Sequence, residues 1–189
     1  MQRNNQHISR LIEHCRKGEQ NAQFELYKLY YKSMFNTAYR ILNDSFEAED
    51  VMQESFLTAF TKLDSFREDA AFGGWLKRIV INRSLSQLKK LKDKQEISLE
   101  GVSYKMAEEE QEEDYDGLST EMRTEELLQA LQGLKENYRV VLNLRLIEGY
   151  DNEEIAQILN ISNENCRTTI SRAKNKLRSI LSQKALIKG

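Results

Sequence analysis

The sequence predicts an all-α protein of two small helical domains joined by a flexible acidic linker. Three observations carry that expectation. Proline is absent from all 189 residues, against roughly 5% in average proteins, which favours helix over a fold of many tight turns. Apolar residues recur at three- and four-residue intervals through both halves of the chain, the spacing of one helical face. No segment with the alternation of a strand reaches five residues with turn signals on both sides.

Charge divides the chain into three parts. Residues 1–95 carry 16 Lys/Arg and 12 Asp/Glu, residues 96–126 carry 2 and 12, and residues 127–189 carry 10 and 6. Two mildly basic domains, 1–95 and 127–189, therefore flank one acidic strip. The strip has few apolar residues, two glycines and no helical period up to residue 118. Like charges this dense repel and keep a chain extended, so 96–126 reads as the linker. It serves as a solvated spacer or as a mimic of nucleic acid. The whole-chain charge of −2 hides the basic blocks, which leave room for a polyanionic partner.

Several function classes fall away. No apolar run is long enough to span a bilayer, and the first residues hold no signal-peptide core. A cytoplasmic protein without membrane insertion is expected. Cys15 and Cys166 are far apart, with no CxxC, and together with His7 and His14 they lack zinc-finger spacing. No Gly-rich phosphate loop is present. Neither a cofactor, a metal nor catalytic residues are expected, and the chain is not read as an enzyme.

The elements follow in order. A short helix over Ile8–Arg16 comes first. Phe24, Tyr27, Tyr31, Met34, Ala38 and Ile41 then draw one stripe down a second helix. Asp44 with Glu47 forms a capping box for a third, which turns Ala48, Val51, Met52, Phe56, Ala59 and Phe60 inward. A loop holding Gly73-Gly74 precedes a fourth helix from Trp75 to Leu91, with Leu76, Ile79, Val80, Leu85 and Leu88 apolar. In the C-terminal block Leu127, Leu128, Leu131 and Leu134 mark one helix. Tyr138, Val141, Leu142, Arg145 and Leu146 mark the next, ending at Gly149. Asp151 and Glu154 make a second capping box, and Ser162 is an N-cap for the last helix.

Residues 152–176 are the most informative stretch. A short helix, a tight break and a second helix form a helix-turn-helix candidate. Ala156 is small where the second helix must cross the first, and Asn160 tolerates the left-handed turn. Ile155, Leu159, Ile161, Cys166 and Ile170 close a small core. The opposite face of the last helix carries Arg167, Thr168, Ser171, Arg172, Lys174 and Arg178. Arg reaches guanine edges and phosphates, and short hydroxylated side chains permit close approach to a groove. No acidic residue follows Cys166, while seven Lys/Arg do. That is the footprint of a polyanion ligand, with a solvated basic face as the alternative.

The N-terminal block is harder to read. Glu47, Glu49, Asp50 and Glu54 cluster on one helix without a histidine, which suits docking on a basic protein better than metal binding. The segment from Trp75 sets one aromatic and Asn82 among Lys77, Arg78, Arg83 and further lysines. Aromatics that stack bases and cations that hold phosphates suit opened DNA. A core tryptophan on a basic helix explains the same residues without DNA.

Four segments in sequence resemble the bacterial RNA polymerase sigma factors of the sigma-70 family, in their extracytoplasmic-function (ECF) group. ELYKLYYKSMFNTAYRILND is similar to the opening of region 2. EAEDVMQESFLTAFTKLDSF is similar to the family's polymerase-binding helix. FGGWLKRIVINRSLSQLKK is similar to its promoter-melting helix, with Trp75, Leu76, Ile79 and Asn82 matching. Residues 131–178 resemble region 4. The family's usual Leu-Pro-Glu is altered around Leu131–Glu136, where Gly133 and an Asn must supply the turn. The usual turn Gly is Asn160, and the usual Val is Cys166. Thr169 and Ser171 stand where relatives often carry Arg or larger residues. The middle domain of larger sigma factors is missing, and no further regulatory domain is expected.

The resemblance implies a factor that binds core RNA polymerase and promoter DNA, and it allows an anti-sigma factor as a further partner. Asp50, Gln53, Glu54 and Phe56 would dock on the polymerase. Trp75, Lys77, Arg78, Asn82 and Arg83 would hold the −10 region, with a flipped base received near Arg67–Phe72. Arg167, Thr168, Ser171, Arg172, Lys174 and Arg178 would read the −35 element. Two other readings stand beside this one: a helix-turn-helix regulator that binds duplex DNA without polymerase, and an interaction protein that sequesters a partner.

Overall fold

The structure, a computed structural model, describes residues 2–67, 71–98 and 124–188. Among them every regular element is helical. The chain divides after Lys94 into two compact units. The predicted linker over 96–126 falls largely on 99–123, outside the described residues. Its two ends are helix: the fourth helix runs on to Ser98 and the fifth begins at Thr124.

The first unit holds α1 (Gln2–Arg16), α2 (Gln20–Leu42), α3 (Ser45–Thr61), a 3-10 turn over Leu63–Ser65, and α4 (Phe72–Ser98). Asn43 ends α2 in the left-handed region at φ 58°, its N–H donating to the Tyr39 carbonyl at 2.8 Å. Asp44 caps α3 by accepting from the Glu47 N–H at 3.0 Å. The reciprocal half of the predicted box is not made. Glu47 instead accepts from Gln87 Nε2 on α4 at 2.7 Å.

Leu26, Met34 and Ala38 of α2, Ala48, Met52, Phe56 and Ala59 of α3, and Phe72, Leu76 and Val80 of α4 share one core with Leu11, Ile12 and Cys15 of α1. Two buried hydroxyls are satisfied within their own helices: Ser55 donates to the Val51 carbonyl at 2.6 Å and Ser84 to that of Val80 at 2.8 Å. The predicted stripe of α2 is rotated at its start. Phe24 is 59% exposed, under the Lys28 ammonium at 4.7 Å, while Ala22 and Leu26 face inward. The glycine pair is the first turn of α4, not a loop. A Cβ on Gly73 would come 2.9 Å from the Tyr30 ring, so the glycine permits close approach of α4 to α2.

The second unit holds α5 (Thr124–Gln132), α6 (Glu136–Leu142) continued by a π turn over Asn143–Ile147, α7 (Asn152–Leu159) and α8 (Asn163–Lys188). Lys135 precedes α6 at φ −59°, ψ 148°, the backbone of a proline. Gly133 does not use a positive φ, so the Leu-Pro-Glu departure is absorbed at Lys135 and not by glycine. The π turn inserts a residue and shifts the helical phase. Leu144 is therefore buried, and Leu146, expected inside, is 44% exposed. Gly149, at φ 82°, reverses the chain before α7.

Candidate nucleic-acid and polymerase interfaces

The helix-turn-helix forms as its sequence dictates. The Asp151 carboxylate accepts from the Glu153 and Glu154 N–H groups at 2.9 and 2.8 Å, and Glu154 accepts in return from the Asp151 N–H at 2.8 Å. Both halves of the box are present, so α7 starts at a fixed point. Asn160 closes α7 at φ 53°, ψ 49°. The Ser162 hydroxyl then caps α8 by accepting from the Asn165 N–H at 3.1 Å. Cys166, Ile170, Ala173, Leu177 and Leu181 of α8 are buried. Burial raises the Cys166 thiol pKa, only partly offset by Arg145 and Arg167, so this cysteine is a core side chain and no nucleophile.

Fixing that inner face fixes the outer one. Arg167, Thr168, Ser171, Arg172 and Arg178 are exposed, and Lys174 is half-buried. The six do not form one surface. Arg167, Ser171, Lys174 and Arg178 recur along one flank, where they line an open cleft of about 320 Å³ with Asn152, Ile170 and Asn175. Thr168 and Arg172 are not in that cleft and occupy the outermost face. Asn152 and Asn175 are polar cleft residues that sequence reasoning missed. Asn175 Oδ1 accepts from Arg178 Nη1 at 3.3 Å, which aims the guanidinium along the cleft.

On α3, Asp50, Gln53 and Glu54 are exposed, as a docking face requires. Gln53 Nε2 donates to Glu49 Oε1 at 3.3 Å. Phe56 does not belong to that face. It is only 2% exposed and packs on Tyr27 and Phe60, with ring centroids 4.9 and 6.0 Å away, so it supports the helix from inside. Two apolar residues that the sequence reading passed over take its place outside: Phe46, 82% exposed, and Leu57, 67% exposed. With Asp50 and Gln53 they recur at spacings of four, three and four, one stripe of α3. Their signal in the sequence was that neither falls on the inward stripe.

On α4, Arg78 and Asn82 are exposed and Lys77 half-buried. Trp75 is half-buried too. Its ring lies 5.3 Å from Phe66 and 5.7 Å from Phe72, so it is both a wall of the core and an accessible aromatic edge. Arg83 is engaged: it forms an ion pair with Glu54 on α3 and donates to the Thr58 hydroxyl. A residue assigned to DNA and one assigned to polymerase are thus partners in this structure. Of the loop Arg67–Phe72, residues 68–70 lie outside the described residues, and Phe72 is buried. Among the described residues no three or more His, Cys, Asp or Glu gather as a metal site, and no helix is long and apolar enough to cross a membrane.

Comparison with known proteins agrees with both halves. The model of sigma-70 region 2 matches residues 26–94, and that of sigma-70 region 4 matches 124–177. The ECF RNA polymerase sigma factor SigW of Bacillus subtilis is 29% identical over 180 residues, covering 92% of this chain and 96% of that protein. The RNA polymerase sigma-H factor of Pseudomonas aeruginosa is 39% identical over 79 residues, 41% of this chain and 40% of its own length. The fold is shared with the sigma factor RpoE of Bartonella quintana, solved in complex with the anti-sigma factor NepR. That match has a TM-score of 0.57 at 22% identity and covers 84% of this chain and 95% of that one. Region 2 and region 4, in that order and each on its own helical unit, make this chain a member of the sigma-70 family in its ECF group, a non-enzymatic factor that directs RNA polymerase to promoters.

Proposed function

We propose that the two units divide promoter recognition between them. The stripe Phe46, Asp50, Gln53 and Leu57 of α3 docks on core polymerase, with Glu54 beside it. Trp75, Lys77, Arg78 and Asn82 of α4 hold the −10 element and assist its opening, and Arg83 joins them when it leaves Glu54. On α8, Thr168 and Arg172 read −35 base edges while Arg167, Lys174 and Arg178 hold the flanking phosphates. The observation that carries this reading is the exposed basic face of α8, set by a capped turn at Asp151, Asn160 and Ser162. Each unit alone offers few contacts, and polymerase makes them act together by fixing their spacing. The chain works in the cytoplasm, and an anti-sigma factor that covers either face completes the set of partners.

The test is reconstituted transcription. Purified chain and core polymerase should together give promoter-dependent transcripts that neither gives alone. Tight, specific binding of duplex DNA by the free chain, with no transcripts from the mixture, would make it a stand-alone helix-turn-helix regulator.

A further inference from the structure

Helix α1 lies outside the segment matched by the region 2 model, yet it reaches the cluster that carries Trp75. Its inner residues Leu11, Ile12 and Cys15 share the core with Leu63 and Phe66. From the end of α1, Arg16 Nη2 donates to the Phe66 carbonyl at 3.1 Å, across 50 residues of sequence. Phe66 is the point where the chain leaves the 3-10 turn in an extended conformation, at φ −72°, ψ 123°. Its N–H is already used, donating to the Leu63 carbonyl at 3.1 Å. The main chain of Phe66 is therefore held on both sides, by the turn and by a charged donor from α1.

What this main chain fixes is a three-ring cluster. The Phe66 ring stands edge-on to Phe72, at 87° and 5.6 Å, and tilted against Trp75 at 5.3 Å. Phe66 and Phe72 are buried, while Trp75 is half-exposed, so Trp75 is the outward edge of a wall whose inner two rings are fixed. Aromatic pairs prefer particular tilts, so the angle of one ring constrains the next. A shift of Phe66 would be passed to Trp75 with no residue of α4 itself changed.

We propose that α1 is a positioning element for promoter opening, in which Arg16 holds Phe66 and thereby sets the tilt of Trp75. This rests on the reading that Trp75 serves the −10 element. Arg16 touches no DNA in this scheme. It sharpens the orientation of a group that must meet an unstacked base, where a small misplacement is costly.

The chain has one tryptophan, so its fluorescence reports on Trp75 alone. Arg16→Met keeps the aliphatic stem and removes the donors, and Arg16→Lys restores a charged donor. In the full-length protein, Arg16→Met should shift Trp75 emission to the red and raise its quenching by acrylamide. With core polymerase, promoter opening read by permanganate footprinting should fall about fivefold to tenfold, part of what a charged hydrogen bond is worth. Affinity for core polymerase should be unchanged, and Arg16→Lys should recover much of the opening. Emission and opening that both match wild type overturn the positioning role. So does a fall in opening matched by an equal fall in core binding, since that is general unfolding. A Trp75→Ala variant that opens promoters normally overturns the reading of Trp75 itself. A defective Trp75→Ala beside a silent Arg16→Met overturns only the role of α1.

Discussion

Arg83 on α4 and Glu54 on α3 form an ion pair, and the same guanidinium donates to the Thr58 hydroxyl through Nη2 at 2.7 Å and Nε at 3.2 Å. Glu47 accepts from Gln87, one turn further along α4 and about two turns back along α3. The helix proposed to face polymerase and the helix proposed to face DNA are thus joined by polar contacts.

The pair should be weak enough to open on demand. The side chains of Arg83 and Glu54 keep 38% and 61% of their exposure. A pair so solvated contributes about 0.2–1 kcal/mol and is screened by salt. A double-mutant cycle with Glu54→Gln and Arg83→Met, read by urea unfolding, should give a coupling in that range that shrinks at high salt. A coupling of several kcal/mol would mean the link is structural and Arg83 is unavailable to DNA.

That pair could not be read from the sequence, whereas the helix-turn-helix could. Asp151, Glu154, Asn160 and Ser162 act on backbone a few residues away, so their spacing alone specifies the turn. The inward stripe of α8 follows from helical period. By contrast, the Glu54–Arg83 contact depends on how α3 and α4 are aligned, which no local signal encodes. Phe56 is set on the docking face by the family motif, which carries core and contact residues alike, although the helical period already places it on the inward stripe where it is found. Leu146 was misplaced because a π turn breaks the period that the reading relied on. Gly73-Gly74 read as a loop because glycine disfavours helix, yet Gly73 suits the helix there because the Tyr30 ring passes close to it.

Lys135→Pro should stabilise the C-terminal unit. Lys135 already has φ −59°, and it precedes α6, where the first N–H groups have no helical acceptor. Restricting the unfolded chain at such a site contributes about 0.4–1 kcal/mol. The lost cation–π contact to Tyr138, at 5.4 Å, offsets part of that gain. A raised melting temperature with unchanged transcription is expected, and a lowered one would contradict the backbone geometry.

Alkaline pH should unfold the protein partly through Cys15. Burial, with Glu19 adding repulsion, pushes this thiol up to about 11 from 9.0. A raised folded-state pKa means the fold favours the protonated thiol. Its contribution is whole below pH 9 and drains away as pH rises toward 11. Cys15→Ala should be less stable at pH 7 yet lose stability less steeply across that window, as measured by urea midpoints. Equal slopes for variant and wild type would remove Cys15 from the account.

Free protein should hold duplex DNA weakly. Each basic block carries only a small excess of cations, 16 against 12 and 10 against 6, beside a strip with 12 acidic residues. Phosphate contacts supply most non-specific affinity, and log K falls with log salt by about 0.9 per contact. Fluorescence anisotropy should show micromolar or weaker binding at physiological salt that vanishes as salt rises. Salt-resistant, sequence-specific binding would argue against a factor that depends on polymerase.

The two parts of the α8 face should separate by experiment. Arg178 is exposed about four turns into α8, held toward the cleft by Asn175, and on the proposed reading it holds the DNA backbone. Arg172 is exposed outside the cleft and nearer the capped end of α8, the end that on the proposed reading enters a groove. With holoenzyme, Arg178→Ala should weaken all promoters alike and reduce the salt slope by about 1. Arg172→Ala should instead cost about 1–3 kcal/mol at the preferred −35 sequence and relax discrimination at one base pair. Neither should lower the melting temperature much, because both side chains are exposed. Ile170→Asp is the contrast: it places an unpaired charge against Cys166 and Ala173 in the core and should unfold the C-terminal unit. Promoter libraries read by sequencing would distinguish the two arginines. If Arg172→Ala weakened every −35 sequence equally and Arg178→Ala changed base preference, the reading face would be the cleft and not the crest of α8.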